Sequence, residues 1–143
     1  MVVLIMGILT AVAAPRLTSQ LHQHSVGSVR SLIVTDMKAA QQEALATSSS
    51  VTVSIDRLQN LYSITARRGG NATILKTIRI DDDPWNSEIT SLLKGSTQTS
   101  VDTIALTING AGVFAENVVI NLASGSATGR TTVDAATGRI LVE

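Results

Sequence analysis

Residues 1–14 read MVVLIMGILTAVAA and form the one continuous apolar run of the chain. The run contains no charged side chain, and its one polar side chain is that of Thr10. At about 1.5 Å per residue, a helix of this length covers about 21 Å, whereas the hydrocarbon core of a bilayer is about 30 Å thick. The run therefore predicts a helix of membrane-like composition that is about six residues shorter than a full span.

The apolar run continues without a break into an amphipathic pattern. Apolar residues recur at mostly four-residue steps, with glutamines and charged residues between them. The recurring positions are Leu17, Leu21, Val29, Leu32, Ile33, Met37, Ala40 and Ala44. No stop signal precedes the polar stretch TSSS at residues 47–50, so residues 1 to about 46 are predicted to form one helix. Pro15 and Gly27 are candidate bend points.

The hydrophobic period changes at residue 51 from about 3.6 to about 2, which is typical of strands. The predicted strands are residues 51–56, 61–66, 74–80, 103–108, 118–122, 129–133 and 139–142. Residues 87–93 are predicted to form a short helix, followed by a polar stretch at residues 95–100. The fold class is therefore α+β, in which a long helix (residues 1–47) packs on an antiparallel β-rich head (residues 48–143) of about six or seven strands.

Length and composition exclude several classes of protein. The 143 residues allow one hydrophobic core, and 11 Lys and Arg balance 11 Asp and Glu. Because 44% of the residues are apolar and 15% are charged, an acidic disordered chain and a strongly basic nucleic-acid binder are excluded. The chain has no cysteine, which rules out disulfides, thiolate metal sites and cysteine nucleophiles. The excess behind the mean hydropathy of +0.28 lies in residues 1–14.

The zero net charge conceals an uneven distribution. Residues 1–80 carry eight Lys and Arg against three Asp and Glu, a net charge of +5. Residues 81–143 carry three against eight, a net charge of −5. Two explanations remain open, because the two halves can attract each other within one molecule or between the heads of neighbouring subunits.

Candidate metal-binding and catalytic residues are few. His22 and His24 are two residues apart on the predicted helix, so their side chains point about 200° apart and cannot share a metal. The aspartates at residues 81–83 offer oxygen ligands to a cation such as calcium, but the spacing of an EF-hand loop is absent, so a solvated loop is predicted. The sequence has no nucleophile elbow and no phosphate-binding loop. We therefore expect no enzymatic activity and no cofactor.

The sequence MVVLIMGILTAVAAPRL, residues 1–17, resembles the N-terminal helix of type IV pilins and type II secretion pseudopilins, including a glycine (Gly7) eight residues before a proline (Pro15). Three further segments are similar to minor pseudopilins of the GspH/FimT family. They are LTINGAGVF (residues 106–114), VVINLASG (residues 118–125) and two Ala-Thr-Gly-Arg copies that end at Arg130 and Arg139. The resemblance implies a structural subunit of a pseudopilus or pilus, with a single inner-membrane span and a periplasmic head.

The resemblance also implies partners and an assembly surface. The implied partners are other pilins or pseudopilins, the inner-membrane assembly platform, membrane lipid and a prepilin peptidase that acts on an upstream leader. Residues 1–14 would be the transmembrane part of the helix, and small residues in it would allow close helix packing. The expected membrane and assembly residues are Val2, Val3, Leu4, Ile5, Gly7, Ile8, Leu9, Val12 and Pro15.

The resemblance places the basic leader, the cleavage-site glycine and an acidic helix residue upstream of Met1. We therefore expect that about seven residues precede Met1, which would restore the run to about the 20 residues that cross a bilayer.

Two other functions remain open. Some FimT-like minor pilins bind DNA through a Gly-Arg-x-Arg element, which makes Arg130 and Arg139 candidate phosphate contacts, although the second arginine is missing from both copies. A basic patch of Arg67, Arg68, Lys76 and Arg79 could add to such a site. The structural interpretation is that each Gly-Arg marks a turn entering a strand. The other alternative is a secreted β-domain, since Ala11-Val12-Ala13 has the pattern of a signal-peptide cleavage site.

Overall fold

The computed structural model describes the backbone of residues 2–143 and the side chains of residues 17–143. Within these bounds the chain forms one helix, α1 (Val2–Thr47), followed by nine strands. The strands are β1 (Val51–Asp56), β2 (Leu61–Arg68), β3 (Asn71–Arg79), β4 (Glu88–Lys94), β5 (Thr99–Val101), β6 (Thr103–Ile108), β7 (Val118–Ser124), β8 (Ala127–Asp134) and β9 (Arg139–Val142). The predicted fold class, one long helix on an antiparallel β-rich head, is confirmed.

The strands form two antiparallel sheets. One has the order β3-β2-β1-β6, and the other has the order β5-β4-β7-β8-β9. Helix α1 packs against strands of both sheets, mainly β8, β1 and β7. Its buried row is Val26, Val29, Ile33, Met37, Ala40 and Ala44. These side chains meet inward-facing aliphatic residues of both sheets, so one continuous core lies between the helix and the head.

The predicted short helix at residues 87–93 is wrong, because these residues belong to β4. Ile89 pairs with Leu122 and Ser91 pairs with Asn121, which leaves Thr90 as the extra residue of a β-bulge. The bulge places both Ile89 and Leu92 on the buried side. Two buried residues three positions apart reproduce helical spacing, which explains the error in the prediction.

The predicted number of strands is too low because β4 and β5 both lie in the segment that was interpreted as a short helix and a polar stretch. β5 has no fully buried side chain and is defined by backbone pairing of Thr99, Ser100 and Val101 with the end of β4. The other strands lie where they were predicted: β1, β6 and β9 have the predicted ends, and β2, β3, β7 and β8 have different ends. For example, β3 begins at Asn71 because Gly69 and Gly70, at φ values of 56° and 88°, turn the chain back at once.

Candidate functional site

The predicted membrane and assembly residues lie at the start of α1. Their side chains, from Val2 to Pro15, lie outside the described residues. In the part of the chain that the structure describes, no helix is long and apolar enough to cross a membrane.

The described part of the helix has an exposed beginning and, after about residue 22, a part that packs on the head. Leu17 is 65% exposed and Leu21 is 62% exposed, although both belong to the apolar row of the sequence. The row therefore packs on the head only in part, and its first two leucines are exposed. The ring of His22 lies against Gly125 of the head, and complete burial begins at Val26. The head does not extend far enough along the helix to cover the first two leucines.

A glycine allows α1 to pass close to β8. A Cβ atom at Gly129 would lie 2.6 Å from Val26 Cγ1 and 2.7 Å from Arg30 Cδ, which are distances that real Cβ atoms do not adopt. Gly129 lies inside β8, so its interpretation as a turn before Arg130 is wrong. Gly138 does lie in a turn, with φ 66°, directly before the first residue of β9. The sequence gives no local signal for the point at which α1 crosses β8, because the contact joins residues far apart in the chain.

A second glycine allows the head to approach the chain closely at the C-terminal end of the helix. A Cβ atom at Gly110, in the loop between β6 and β7, would lie 2.7 Å from the carbonyl carbon and oxygen of Ser48. Nearby, Gln41 Nε2 donates a hydrogen bond to the carbonyl oxygen of Gly112 at 3.0 Å. The helix is therefore fixed to the head at both ends of their contact.

A buried polar cluster joins the middle of α1 to the first sheet. Asp36 is 7% exposed, and its Oδ2 accepts a hydrogen bond of 2.5 Å from the hydroxyl of Tyr62 in β2. Lys76 Nζ, from β3, donates to Asp36 Oδ1 at 2.7 Å and to Oδ2 at 2.8 Å. The sequence predicts Lys76 as part of a basic patch and does not single out Asp36. The available signal was an aspartate next to Met37, within the apolar row of the helix.

The same cluster changes the acidity of Tyr62. Burial raises the pKa of the Tyr62 phenol far above its ordinary value of 10.0, and the hydrogen bond to Asp36 and the negative charge of Asp36 raise the pKa further. Because the folded state keeps the phenol protonated, the unfolded state alone loses its proton as the pH rises above about 10. The stability that this group contributes is complete below that pH and is lost as the pH increases.

Tyr62 is the single tyrosine of the chain, so phenolate absorbance reports on this group alone. We expect that an alkaline titration of the folded protein shows no phenolate until the protein unfolds, and that absorbance and circular dichroism then change together. Tyr62→Phe should weaken the fall in stability above about pH 10. A phenolate that appears with an ordinary midpoint while the protein remains folded would contradict the buried hydrogen bond.

The two candidate DNA-contacting arginines lie on one face of the second sheet but are not adjacent. Arg130 lies four residue steps along β8 from Asp134, the cross-strand partner of Arg139, which corresponds to about 13 Å along the sheet. Arg130 Nε lies 3.8 Å from Glu143 Oε2. The pKa of Asp134 is lowered mainly by a hydrogen bond from Thr137 and in part by the charge of Arg139. Each arginine thus has an acidic neighbour, and their contact with DNA stays a prediction.

The candidate basic patch and the aspartate loop partly neutralise each other. Arg79 Nη2 lies 2.9 Å from Asp81 Oδ2, and Arg79 Nε lies 3.7 Å from Asp82 Oδ2. Arg68 pairs with Glu43 of the helix. Asn86 Nδ2 donates a hydrogen bond of 2.6 Å to Asp83 Oδ1. Among the described residues, no group of three or more His, Cys, Asp or Glu side chains is arranged to hold a metal ion.

The two histidines have different environments. His24 is exposed, as a solvated helix face predicts. His22 is half-buried, and its Nδ1 lies 3.3 Å from Ser124 Oγ. Since Ser124 Oγ donates its proton to the carbonyl oxygen of Asn86 at 2.9 Å, His22 Nδ1 is the donor in the contact with Ser124. His22 therefore helps to attach the helix to the head.

No family model and no curated protein match the sequence. Solved structures do match the fold. A crystal structure of the minor pseudopilin EpsH from the type II secretion system of Vibrio cholerae has a TM-score of 0.67 and 8% identity, covering 85% of this chain and 97% of that chain. A second EpsH structure has a TM-score of 0.66 and 8% identity, covering 82% and 94%. The chain has a minor pseudopilin fold.

A type IV minor pilin has a similar fold. The crystal structure of FimU from Pseudomonas aeruginosa has a TM-score of 0.57 and 15% identity, covering 85% of this chain and 90% of that chain. At these identities the likeness shows the fold alone. The resemblance of the sequence to minor pseudopilins is thus matched by a likeness of the fold.

Proposed function

We propose that this protein is a minor pseudopilin or minor pilin, a structural subunit that joins a type II secretion pseudopilus or a type IV pilus through its apolar N-terminal helix. The observation that carries the proposal is the division of α1. From Val26 to Ala44 the helix is buried on the head, whereas Leu17 and Leu21 are exposed and follow an apolar run without charge. An apolar helix surface that the head leaves uncovered requires lipid or other helices around it.

The proposal includes a location and a set of partners. The start of the helix lies in the inner membrane of a bacterium, and the head lies in the periplasm. The partners are the helices of other pilins or pseudopilins, together with the assembly platform and membrane lipid. Gly7 allows close approach of a neighbouring helix, and the aliphatic residues around it make the contact. The likeness to EpsH and FimU supports this role, and we propose no catalytic step.

Deletion of residues 1–14 tests the proposal. We expect a soluble, folded head, because the described core begins at Val26, and loss of the subunit from purified filaments. Incorporation is measured by immunoblotting of sheared filaments against total cell protein. A truncated protein that enters filaments in normal amounts would contradict the proposal. A mature chain that begins near Ala14 would instead support the secreted β-domain.

A matched pair of point variants shows whether incorporation depends on the helix surface or on any exposed leucine. Leu21 is 62% exposed on the helix and Leu58 is 68% exposed in the turn between β1 and β2. We expect Leu21→Ser to lower incorporation several-fold, whereas Leu58→Ser leaves incorporation unchanged. Equal effects of the two variants would show that the helix surface has no special role.

A further inference from the structure

Strand β3 forms one outer edge of the first sheet. Among the described residues, no strand pairs with its second side, because the order of that sheet ends at β3. None of its nine side chains is buried, whereas β2 beside it buries Tyr62, Ile64 and Ala66. β3 is therefore held to the head by its pairing with β2, and it leaves a row of backbone donors and acceptors open to solvent.

The other sheet edges are shorter or partly covered. β5 and β9, the outer strands of the second sheet, have three and four residues. The outer edge of β6 is covered at its end, because Ile108 bridges to Phe114 and Ala115 N donates a hydrogen bond to the carbonyl oxygen of Thr107 at 2.9 Å. β3 is therefore the longest open strand edge in the part of the chain that the structure describes.

The cations of β3 are bound to acidic partners of the same chain. Exposed strand edges of natural proteins commonly carry charged side chains, lysine above all, which prevent pairing with another chain. Lys76 Nζ is bound to the helix residue Asp36, at 2.7 and 2.8 Å from its two carboxylate oxygens. Arg79 Nη2, at the end of the strand, lies 2.9 Å from Asp81 Oδ2. Neither cation is therefore left free to protect the open edge.

The centre of β3 is apolar and exposed. Ile74 is 67% exposed and Leu75 is 46% exposed. The pairing with β2 skips Leu75, which is the extra residue of a β-bulge, so two apolar side chains stand next to each other outside the core. Residues 72–75 contain no charged side chain. The edge thus combines unpaired backbone groups with an uncharged apolar surface.

The open backbone groups are assigned on the side of the bulge that leads to residue 80. Ile80 N donates a hydrogen bond to the carbonyl oxygen of Asn60 at 2.9 Å, which continues the ladder between β2 and β3. Backbone groups alternate between the two edges of an antiparallel strand, so Ile78 directs its groups toward β2. Thr77 and Arg79 direct theirs toward the open edge. An extended chain is the occupant whose backbone satisfies such a row of groups.

We infer that an extended segment of a different filament subunit adds as a strand to the open edge of β3. The inference rests on the proposed function, because a filament brings the heads of other subunits beside this one, and the neighbours of a minor subunit are other pilins. The chemistry of the edge defines the segment as a run of aliphatic or β-branched residues without charge. Its backbone bonds to Thr77 and Arg79, and its side chains contact Ile74 and Leu75.

A matched pair of substitutions at Thr77 tests the backbone contact. Thr77→Pro removes the N–H group on the open edge, whereas Thr77→Val keeps it. We expect Thr77→Pro to lower incorporation into filaments several-fold and Thr77→Val to leave incorporation unchanged. Urea unfolding of both full-chain variants in detergent shows whether the head remains as stable as in the natural protein. Normal incorporation of Thr77→Pro would overturn the inference.

A free charge on the edge gives a second test, which decides the matter if Thr77→Pro is less stable than the natural protein. Ile74→Lys introduces a lysine that has no acidic partner on β3, and we expect it to lower incorporation several-fold. The control is Leu58→Lys, because Leu58 is 68% exposed in the turn between β1 and β2, away from the edge. Equal incorporation of these two lysine variants would contradict strand addition.

A photo-reactive residue identifies the partner. Ile74 of the full chain is replaced by p-benzoylphenylalanine, cells are irradiated, and the cross-linked peptide is identified by mass spectrometry. A cross-link to an uncharged extended segment of another pilin or pseudopilin supports the inference. Cross-links to a helix, to lipid, to a second copy of this chain or to a protein outside the filament would overturn it, as would the absence of any cross-link.

Deletion of residues 1–14 separates the inference from the proposed function. If the edge variants enter filaments normally while the deletion abolishes incorporation, the inference alone is lost. If the deleted chain is incorporated in normal amounts, the proposed function is lost.

Discussion

Asp36→Ala is expected to lower the free energy of unfolding by about 3 kcal/mol, because it removes the acceptor of two buried or half-buried donors. Tyr62 would keep a buried hydroxyl without its partner, and Lys76 would lose its counter-charge. Removing one partner of a buried ion pair lowers the free energy of unfolding over a range of values. The lower end of that range applies here, because the Lys76 side chain is 41% exposed and can regain water. Urea unfolding followed by circular dichroism measures the change.

Two controls show whether burial causes the effect. Glu43→Ala removes the partner of Arg68, whose side chain is 59% exposed, and is expected to cost less than about 1 kcal/mol. Tyr62→Phe removes one hydrogen bond and is expected to cost about 1 kcal/mol. If Asp36→Ala and Glu43→Ala had equal effects, the cluster of Asp36, Tyr62 and Lys76 would add no more to stability than a surface ion pair.

Gly129→Ala is expected to destabilise the protein by about 2 kcal/mol, because the added methyl group overlaps the helix. Val26 is 2% exposed, so it has no free space to move into, and the new atom would lie 2.6 Å from its Cγ1. The helix must therefore shift away from β8 or the strand must bend. The measurement is again the midpoint and slope of urea unfolding, with the variant and the natural protein in the same buffer.

Gly27→Ala is the matched control, since a Cβ atom at Gly27 meets nothing within 4 Å. Alanine favours a helix over glycine by about 1 kcal/mol, so this variant is expected to be more stable than the natural protein. Opposite signs for the two substitutions would establish that close packing, and not glycine flexibility, is the requirement at residue 129. A neutral Gly129→Ala would show that α1 and β8 are farther apart than the structure has them.

The sequence predicted those elements whose pattern is local. Helix α1 carries an apolar row at helical spacing over more than four turns, and β1 alternates without exception, so both were predicted close to their observed bounds. Strand β4 was missed because its bulge depends on pairing with β7, which the sequence of β4 does not contain. β5 was missed because it exists through backbone hydrogen bonds to β4 rather than through buried side chains.

The contacts of the candidate site also divide into those that a local sequence pattern predicts and those that depend on distant segments. The apolar surface that begins the helix is visible in residues 1–14, because composition alone defines it. The partner of Asp36 is not visible, because Tyr62 and Lys76 are brought to it by the order of strands in the first sheet.

The packing of α1 on β8 has a consequence for how the chain folds. The helix is made first, but one of its first contacts with the head joins His22 to Ser124, 102 residues later in the chain. The part of the helix surface that packs on β8 therefore has no native partner until synthesis has passed β8. High contact order of this kind slows folding and prolongs the exposure of apolar surface. During that interval the exposed apolar row of the helix is a site of aggregation.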